Sequence, residues 1–328
     1  MAAPDRVRWG ILGAAGIAEG SFLPALAEAG DGDAVVVGAR DGGRAERWAT
    51  EHGVAHGVQG YRAVVEDPQV EAVYVALPNA LHAEWTIAAL EAGKAVFCEK
   101  PLCGTVEETE RVLATARTSD GPLWEAFVFP FHEQMSTVRG FIRDGSIGEL
   151  REIWSRFHFA LDDPGDIRMS ADLAGGATQD VGCYSVRLAR LLFDAEPDLA
   201  GAAVDTMWEG GVDAELAGIL PFDADRRLLF SCGFRSAYDT FARVIGSAGE
   251  LRITNPFHPE RGDTLEFVRD GRVVYQEPAV PSGERSFTPA IRHIHRVLRG
   301  REQTEHLAVD EALGNARTIA ALLQAARR

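Results

Sequence analysis

Through its first 125 or so residues the chain alternates short apolar runs with helix-spaced segments, and few folds accommodate that rhythm. The runs VRWGIL (7–12), AVVVGA (34–39), AVYVAL (72–77), AVFC (95–98) and LWEAFV (123–128) are separated by FLPALAEAG, RAERWATEHG, LHAEWTIAALEAG and TVEETERVLATART. Strands this uniformly apolar are buried on both sides, and the helical stretches between them are long enough to be crossovers. The expected product is a parallel sheet covered on both faces by helices. After about residue 145 the texture changes. ELREIWSRFHFA (149–160) alternates, with Ile153, Ser155, Phe157 and Phe159 on one side, and later alternating runs are joined by turns such as EGGVD and DADRR. Helical patterns return at 176–193, 288–299 and 309–327. We therefore expect an α/β chain of two domains. Residues 1–128 form the parallel-sheet domain. Residues 129–328 form an α+β domain with a large open, mainly antiparallel sheet, whose C-terminal helix is free to pack back on the first domain.

A net charge of −16 argues against a nucleic-acid partner or an acidic membrane surface. Four cysteines (Cys98, Cys103, Cys183, Cys232) lack metal or disulfide spacing, which suits a reducing compartment. The opening MAAPDRVRWG has no basic segment leading into an apolar run, and no stretch approaches eighteen uncharged apolar residues. A cytoplasmic location is the expectation.

The first strand runs into RWGILGAAGIAEG, close to the G-x-G-x-x-G/A loop of dinucleotide-binding, Rossmann-like domains. Because the strand ends at Leu12, the register starts at Gly13. It then reads Gly13-Ala14-Ala15-Gly16-Ile17-Ala18, leaving Gly10 inside the strand. Ala18 is permitted at the third position, while the Ala15 methyl lies where backbone should approach pyrophosphate. A helix N-terminus here would offer unpaired amides to phosphate, with Pro24 suited to a first turn. At the end of the second strand, VVVGARDGGR presents Ala39, then Arg40 and Arg44. Arginines there pair with a 2′-phosphate and favour NADP. Asp41, one position late, leaves NAD open.

KAVFCEKPLCGT sets Lys100 before Pro101, past the end of a buried strand, where open parallel sheets bind ligands. The triplet Glu99-Lys100-Pro101 and the loop GILGAAGIA resemble the glucose–fructose oxidoreductase, inositol dehydrogenase and rhizopine-catabolism family (Gfo/Idh/MocA). LAGGATQDVGCYS (173–185) is similar to that family's G-G-G-x-x-x-D-x-G-x-H/Y segment. EAFVFPFHEQ (125–134) and DIR (166–168) resemble the branch of NADP-dependent xylose and dihydrodiol dehydrogenases and deoxysugar ketoreductases. The likeness covers essentially the whole chain. It departs at Tyr184, where histidine is usual, at Pro130, where arginine is expected, and at Glu133, which replaces a proline.

The resemblance implies an NAD(P)-dependent oxidoreductase that moves hydride between nicotinamide and a sugar or related cyclic alcohol or ketone, in a pocket between the domains. Asp180 and Tyr184, four apart at a helix start, share a face. The expected roles follow from chemistry: Tyr184 gives or takes the proton, Lys100 supports its ionisation and the developing oxyanion, and Asp180 orients Lys100 or a substrate hydroxyl. Leu77, Pro78, Asn79 and His82, with Glu99 and Lys100, are implied to lie along the cofactor, although His82 equally suits a capping or packing role. Arg168 either reaches the substrate or is a loop charge. His52 and His56, or His293 and His295, are spaced for a metal but lack further ligands, and the chemistry requires no metal. Two rival readings remain: a ketoreductase acting on a nucleotide-linked sugar, and a non-enzymatic NADP(H)-binding sensor. An open sheet face leads us to expect a homodimer or homotetramer.

Overall fold

The computed structural model describes residues 6–303 and 309–327; part of the opening MAAPDRVRWG, read above for a leader, lies outside them. Contacts divide the chain into two compact units, residues 1–128 with 284–313 and residues 129–283 with 314–328.

In the first unit, β1 (Val7–Leu12), β2 (Gly32–Ala39), β3 (His56–Gln59), β4 (Ala72–Val75), β5 (Ala95–Cys98) and β6 (Leu123–Glu125) form one sheet in the order β3-β2-β1-β4-β5-β6. Every neighbouring pair is parallel. Helices α1 (Leu23–Ala29), α2 (Gly42–His52), α3 (Arg62–Val65), α4 (Asn79–Glu91) and α5 (Val106–Ala116) make the crossovers. Local chemistry sets their ends. Asp41 caps α2 and Thr105 caps α5, each accepting from an amide of the first turn, while Pro24 sits in the first turn of α1. Gly10 lets α3 approach β1, since a Cβ there would stand 2.5 Å from Val64 Cγ1.

The second unit contains α6 (Glu133–Arg143), α7 (Cys183–Phe193) and most of α9 (Val309–Ala325). Its sheet holds β7 (Leu150–His158), β8 (Ala203–Glu209), β9 (Val212–Pro221), β10 (Arg227–Gly233), β11 (Asp239–Gly246), β12 (Glu250–Ile253), β13 (Thr264–Arg269) and β14 (Arg272–Pro278). The order is β14-β13-β12-β11-β7-β10-β9-β8. It is antiparallel except between β7 and β10. There the chain leaves β7 for α7, re-enters at the far edge as β8, and comes back strand by strand to β7. Ile153, Ser155 and Phe157 are buried on one face of β7, with Ser155 hydrogen-bonded to Ser185 of α7 at 2.8 Å. On the opposite face Trp154, Leu229 and Ile219 stand in one cross-strand row. Trp154 and Ile219 there are 39% and 44% exposed.

Residues 284–313, assigned from sequence to the second domain, instead join the first unit. The reason is a set of polar ties made by α8 (Thr288–Leu298) and its flanks. Buried Trp9 of β1 donates its indole N–H to His295 Nε2 at 2.9 Å, and His295 Nδ1 lies 2.5 Å from Asp31 Oδ1. Glu28 accepts from Thr288 and from the Arg285 amide, and Arg299 pairs with Glu71 at 3.1 Å.

Indole only donates, so His295 must present a bare Nε2 and carry its proton on Nδ1 toward Asp31. Burial holds the His295 value below the ordinary one against the opposing pull of Asp31. A value lowered on folding contributes stability that is full above about pH 6.5 and is lost as pH falls through the folded value. His295→Phe strands the Trp9 donor, so it should cost about 1–3 kcal/mol at pH 8 and less at pH 5. Urea unfolding of both proteins at the two pH values checks this; a gap that widens in acid would contradict it.

Candidate active site

The loop after β1 is built on one backbone conformation. Gly13 has φ +106°, and a Cβ there would stand 2.4 Å from the Ala76 carbonyl oxygen, so glycine is required. Its amide donates to Gly38 O at 2.9 Å, and the helix that follows enters at Gly16. Ala15 O accepts from the amides of both Ala18 and Glu19, at 3.0 and 3.1 Å. The Gly16 and Ile17 amides precede any intrahelical acceptor. A Cβ on Gly16 would meet nothing within 4 Å, and Ile17 is exposed. Ala18 is fully buried, so the third motif position serves helix packing. The helix passes through a π-turn, Ala18–Phe22, before α1. This cradle, with open amides and no side chain over Gly16, fits a pyrophosphate.

Past β2, Arg40 is exposed. Arg44 donates from Nη2 to Ala14 O at 3.0 Å, which draws its guanidinium onto the phosphate loop. Asp41 accepts from the Arg44 amide at 2.5 Å as the cap of α2, so the acidic alternative is engaged in holding a helix.

Lys100 follows β5, half-buried, and its bond to Pro101 is cis. Three neighbouring elements hold its loop. Tyr74 of β4 donates to the buried Glu99 carboxylate at 2.5 Å, and Glu125 of β6 accepts from the Leu102 amide at 2.8 Å. His82 of α4 sets Nδ1 2.9 Å from Pro101 O and Nε2 2.7 Å from Leu77 O. Its ring is fully buried, so the suggestion that His82 lies against the cofactor is corrected: it braces the loops after β4 and β5. Burial, and secondarily the Lys100 charge, push its value down toward the neutral ring. Leu77 is buried and Pro78 and Asn79 half-buried at the start of α4.

In the second unit the GGATQD turn places Arg168 and Asp180. The Gly176 amide donates to Arg168 O at 2.8 Å, and a Cβ on Gly175 would stand 2.3 Å from that oxygen. Close approach through glycine therefore brings the Arg168 loop to the turn. Arg168 Nε donates to Asp180 at 2.8 Å, Nη1 lies 3.3 Å from Asp166, and the guanidinium sits over Phe159. Asp180 is thus paired with Arg168 in its own unit, whereas Lys100 belongs to the other. Between Asp180 and Tyr184 the helix is a π-turn, Thr178–Gly182. Tyr184 is 2% exposed, packed against Phe157 and Phe257, and its hydroxyl lies 2.9 Å from His258 Nε2.

Residues 7–127 match the model of an oxidoreductase family with an NAD-binding Rossmann fold, and residues 135–252 match the Gfo/Idh/MocA C-terminal domain. The chain belongs to the Gfo/Idh/MocA family. It is 34% identical to a D-xylose 1-dehydrogenase (NADP(+)) of Haloferax volcanii, over 97% of each protein. It is 33% identical to a dTDP-3,4-didehydro-2,6-dideoxy-α-D-glucose 3-reductase of Saccharopolyspora spinosa, over 95% of this chain and 97% of that one. Its structure is similar to that of KijD10, a 3-ketoreductase of Actinomadura kijaniata solved with NADP and TDP-benzene, with TM-score 0.88, 32% identity and 98% of both chains covered.

Two residues of this Gfo/Idh/MocA chain escaped the sequence reading. Asp213 of β9 is buried and accepts from the Thr178 amide and hydroxyl at 2.7 and 2.6 Å, fixing the start of the Asp180 turn. Burial raises its carboxyl above the usual range against those two donors. An acid at an inward strand position was its one signal. His258, in TNPFHPERGDT, had none. Among the described residues no group of three or more His, Cys, Asp or Glu is arranged to hold a metal, and no helix is long and apolar enough to cross a membrane.

Gly13→Ala forces a methyl onto a carbonyl in a left-handed conformation. It should destabilise the protein by about 2–4 kcal/mol, while Gly16→Ala stays within about 1 kcal/mol of the parent. Thermal or urea midpoints without added nucleotide decide it; equal losses at the two positions would mean that the loop is built otherwise.

Proposed function

We propose that this chain is an NADP-dependent oxidoreductase that exchanges hydride between nicotinamide and a carbohydrate or related cyclic alcohol or ketone. The observation that carries the reading is a family match across both units combined with the retention of Lys100 past β5 and of a buried phenol, Tyr184, on α7. In this reading Gly13, Ala15, Gly16, Ile17 and Ala18 take the pyrophosphate on backbone amides. Arg40 and Arg44 take the 2′-phosphate, which is supported by the commitment of Asp41 to capping α2. Leu77, Pro78, Asn79, Glu99 and Lys100 form the wall for ribose and nicotinamide.

The bound nicotinamide supplies or accepts the hydride. The protein supplies the rest. In reduction, Tyr184 gives its proton to the carbonyl oxygen as Lys100 stabilises the charge growing there. In oxidation, Tyr184 takes the hydroxyl proton, and the role assigned to the Lys100 ammonium is to lower the cost of ionising the phenol. Arg168 and Asp180, joined as a pair, offer donor and acceptor edges to substrate hydroxyls. Neutral sugars suit such a pair. A keto-sugar carried on a nucleotide diphosphate is the second reading, favoured by the likeness to KijD10 across nearly the whole chain. The first unit acts as the cofactor domain and the second as the substrate domain. The row of exposed Trp154, half-buried Leu229 and exposed Ile219 supports pairing of two copies through the open sheet, and a cytoplasmic setting is consistent with four buried free thiols.

Removing both guanidiniums in Arg40→Ala/Arg44→Ala should weaken NADPH binding about 10- to 100-fold and leave NADH binding nearly unchanged, measured by nucleotide fluorescence titration. Equal losses for the two nucleotides would refute the 2′-phosphate assignment. Tyr184→Phe and Lys100→Met should each lower kcat at least about 100-fold in a panel of free sugars, cyclic ketones and nucleotide-linked keto-sugars. Trp154→Glu should convert the assembly to monomer in sedimentation velocity; an unchanged sedimentation coefficient rules out that face.

A further inference from the structure

The reading above makes Tyr184 the group that hands a proton to the substrate, yet its ring is almost completely enclosed. Phe157 and Phe257 lie 5.5 and 5.0 Å from it, centroid to centroid, and Phe129 lies 6.4 Å away. An enclosed phenol that loses its proton needs a route by which to recover it. The imidazole of His258 stands at hydrogen-bond distance, 2.9 Å from Nε2 to the hydroxyl, with its ring edge-on to the phenol at 75°. Tyr184 is 2% exposed while His258 is half-buried, so His258 is the more accessible member of the pair.

The position of His258 is built, not incidental. Its amide donates to Asn255 Oδ1 at 3.1 Å, and Asn255 Nδ2 donates back to His258 O at 2.6 Å. Gln134 of α6 then donates to Asn255 O and Pro256 O at 3.0 and 3.1 Å, all within the buried interior. The β12–β13 loop is thereby pinned from a second element, with Phe257 stacked on Phe157 at 5.7 Å immediately before His258. Among the described residues of this unit, Tyr238 ahead of β11 feels Glu260 and Asp263 of the His258 loop, and Arg168 and Asp180 pair ahead of α7.

We infer that His258 is the proton relay of Tyr184, connecting the enclosed phenol with solvent and setting the direction in which the phenol donates. This rests on the oxidoreductase reading. A phenol has one proton to donate. With His258 neutral and Nε2 bare, that proton is directed at the imidazole, and the phenol is poised to accept from a substrate alcohol once it has passed the proton on. With Nε2 protonated, His258 donates to the phenol oxygen and the phenol proton is free for a substrate carbonyl. In reduction the Tyr184 O–H bond breaks and a new O–H bond forms on the carbonyl oxygen, whose carbon receives the hydride. The phenolate then takes the proton from His258 Nε2, and the imidazole regains one from water. Oxidation reverses each transfer.

His258→Gln and His258→Phe in the NADP-loaded protein test this. Glutamine can still hydrogen-bond the phenol but cannot carry a proton through. Both variants should lower kcat at neutral pH by about 10-fold or more with KM for NADPH within twofold. Both should also change the shape of the kcat–pH profile relative to the wild type. Independently of turnover, long-range 15N spectra of histidine-labelled protein should show the His258 Nε2 resonance, assigned by its loss in His258→Gln, move in Tyr184→Phe. If either His258 variant keeps the wild-type kcat and profile, or the Nε2 resonance stays in place, the relay is overturned. A wild type that binds NADPH but turns over no member of the substrate panel overturns the oxidoreductase reading, and the relay with it.

Discussion

Leu12, Gly38, Val75 and Cys98 are aligned across four parallel strands: Leu12 pairs with both Gly38 and Val75, and Val75 with Cys98. Parallel hydrogen bonding sends all four chains out of the sheet at the same level. The residues that leave there are Gly13, Ala39 and Arg40, Ala76 and Leu77, and Glu99 and Lys100. Between β1 and β4 the strand order reverses, so two crossovers diverge to opposite sides and leave a crevice that neither helix fills. The demand on Gly13 follows directly. The Ala76 carbonyl of the adjacent strand occupies the space that any side chain would need, and the turn into the phosphate loop has to be made against it.

Register alone leaves the loops free to move; side chains arriving from other elements fix them. Around Lys100, the His82 ring set between the Leu77 and Pro101 carbonyls, with the bonds from Tyr74 to Glu99 and from Leu102 to Glu125, ties its loop to α4, β4 and β6. Buried polar groups are costly unless satisfied, and once satisfied they admit few alternative arrangements. Two buried carboxylates within two residues of the lysine, or across the strand from it, also make the surroundings tolerant of a retained positive charge. The second unit uses the same device at its GGATQD turn, where Asp213 reaches from β9 to the Thr178 amide and hydroxyl.

What could be read from the chain was whatever repeats or turns locally. Apolar runs spaced by helical segments yielded the parallel sheet, and alternation around Ile153 and Phe157 yielded the open one. Gly13 was legible because a strand end and a tight turn leave a mark in adjacent residues. Long-range pairing left no such mark. Nothing near His295 announces Trp9, 286 residues away, so the return of 284–313 to the first unit was missed. His82 looked like a ligand neighbour because it opens a helix beside the crevice, yet its partners are carbonyls five and nineteen residues on either side. The π-turn before α7 is equally silent in sequence. It replaces the simple four-residue spacing of Asp180 and Tyr184 by a wider turn, after which the carboxylate meets Arg168 and the phenol meets His258.

The last contrast bears on how a tyrosine can stand where histidine is usual. An imidazole exchanges protons readily near neutrality, whereas a phenol is a far weaker acid, and Tyr184 is enclosed by aromatic rings. Substituting one for the other on α7 would therefore sacrifice turnover unless an imidazole returned from elsewhere. Under the proposed relay the imidazole comes from His258 of the β12–β13 loop, which lies at hydrogen-bond distance and is clamped through Asn255 to α6. On that proposal the helix presents the phenol that donates to substrate, and the loop supplies the imidazole that passes the proton on. The phenol and the imidazole are held by the same packing: Phe257, next to His258 in the loop, stacks on Phe157 of β7, and both rings lie against Tyr184.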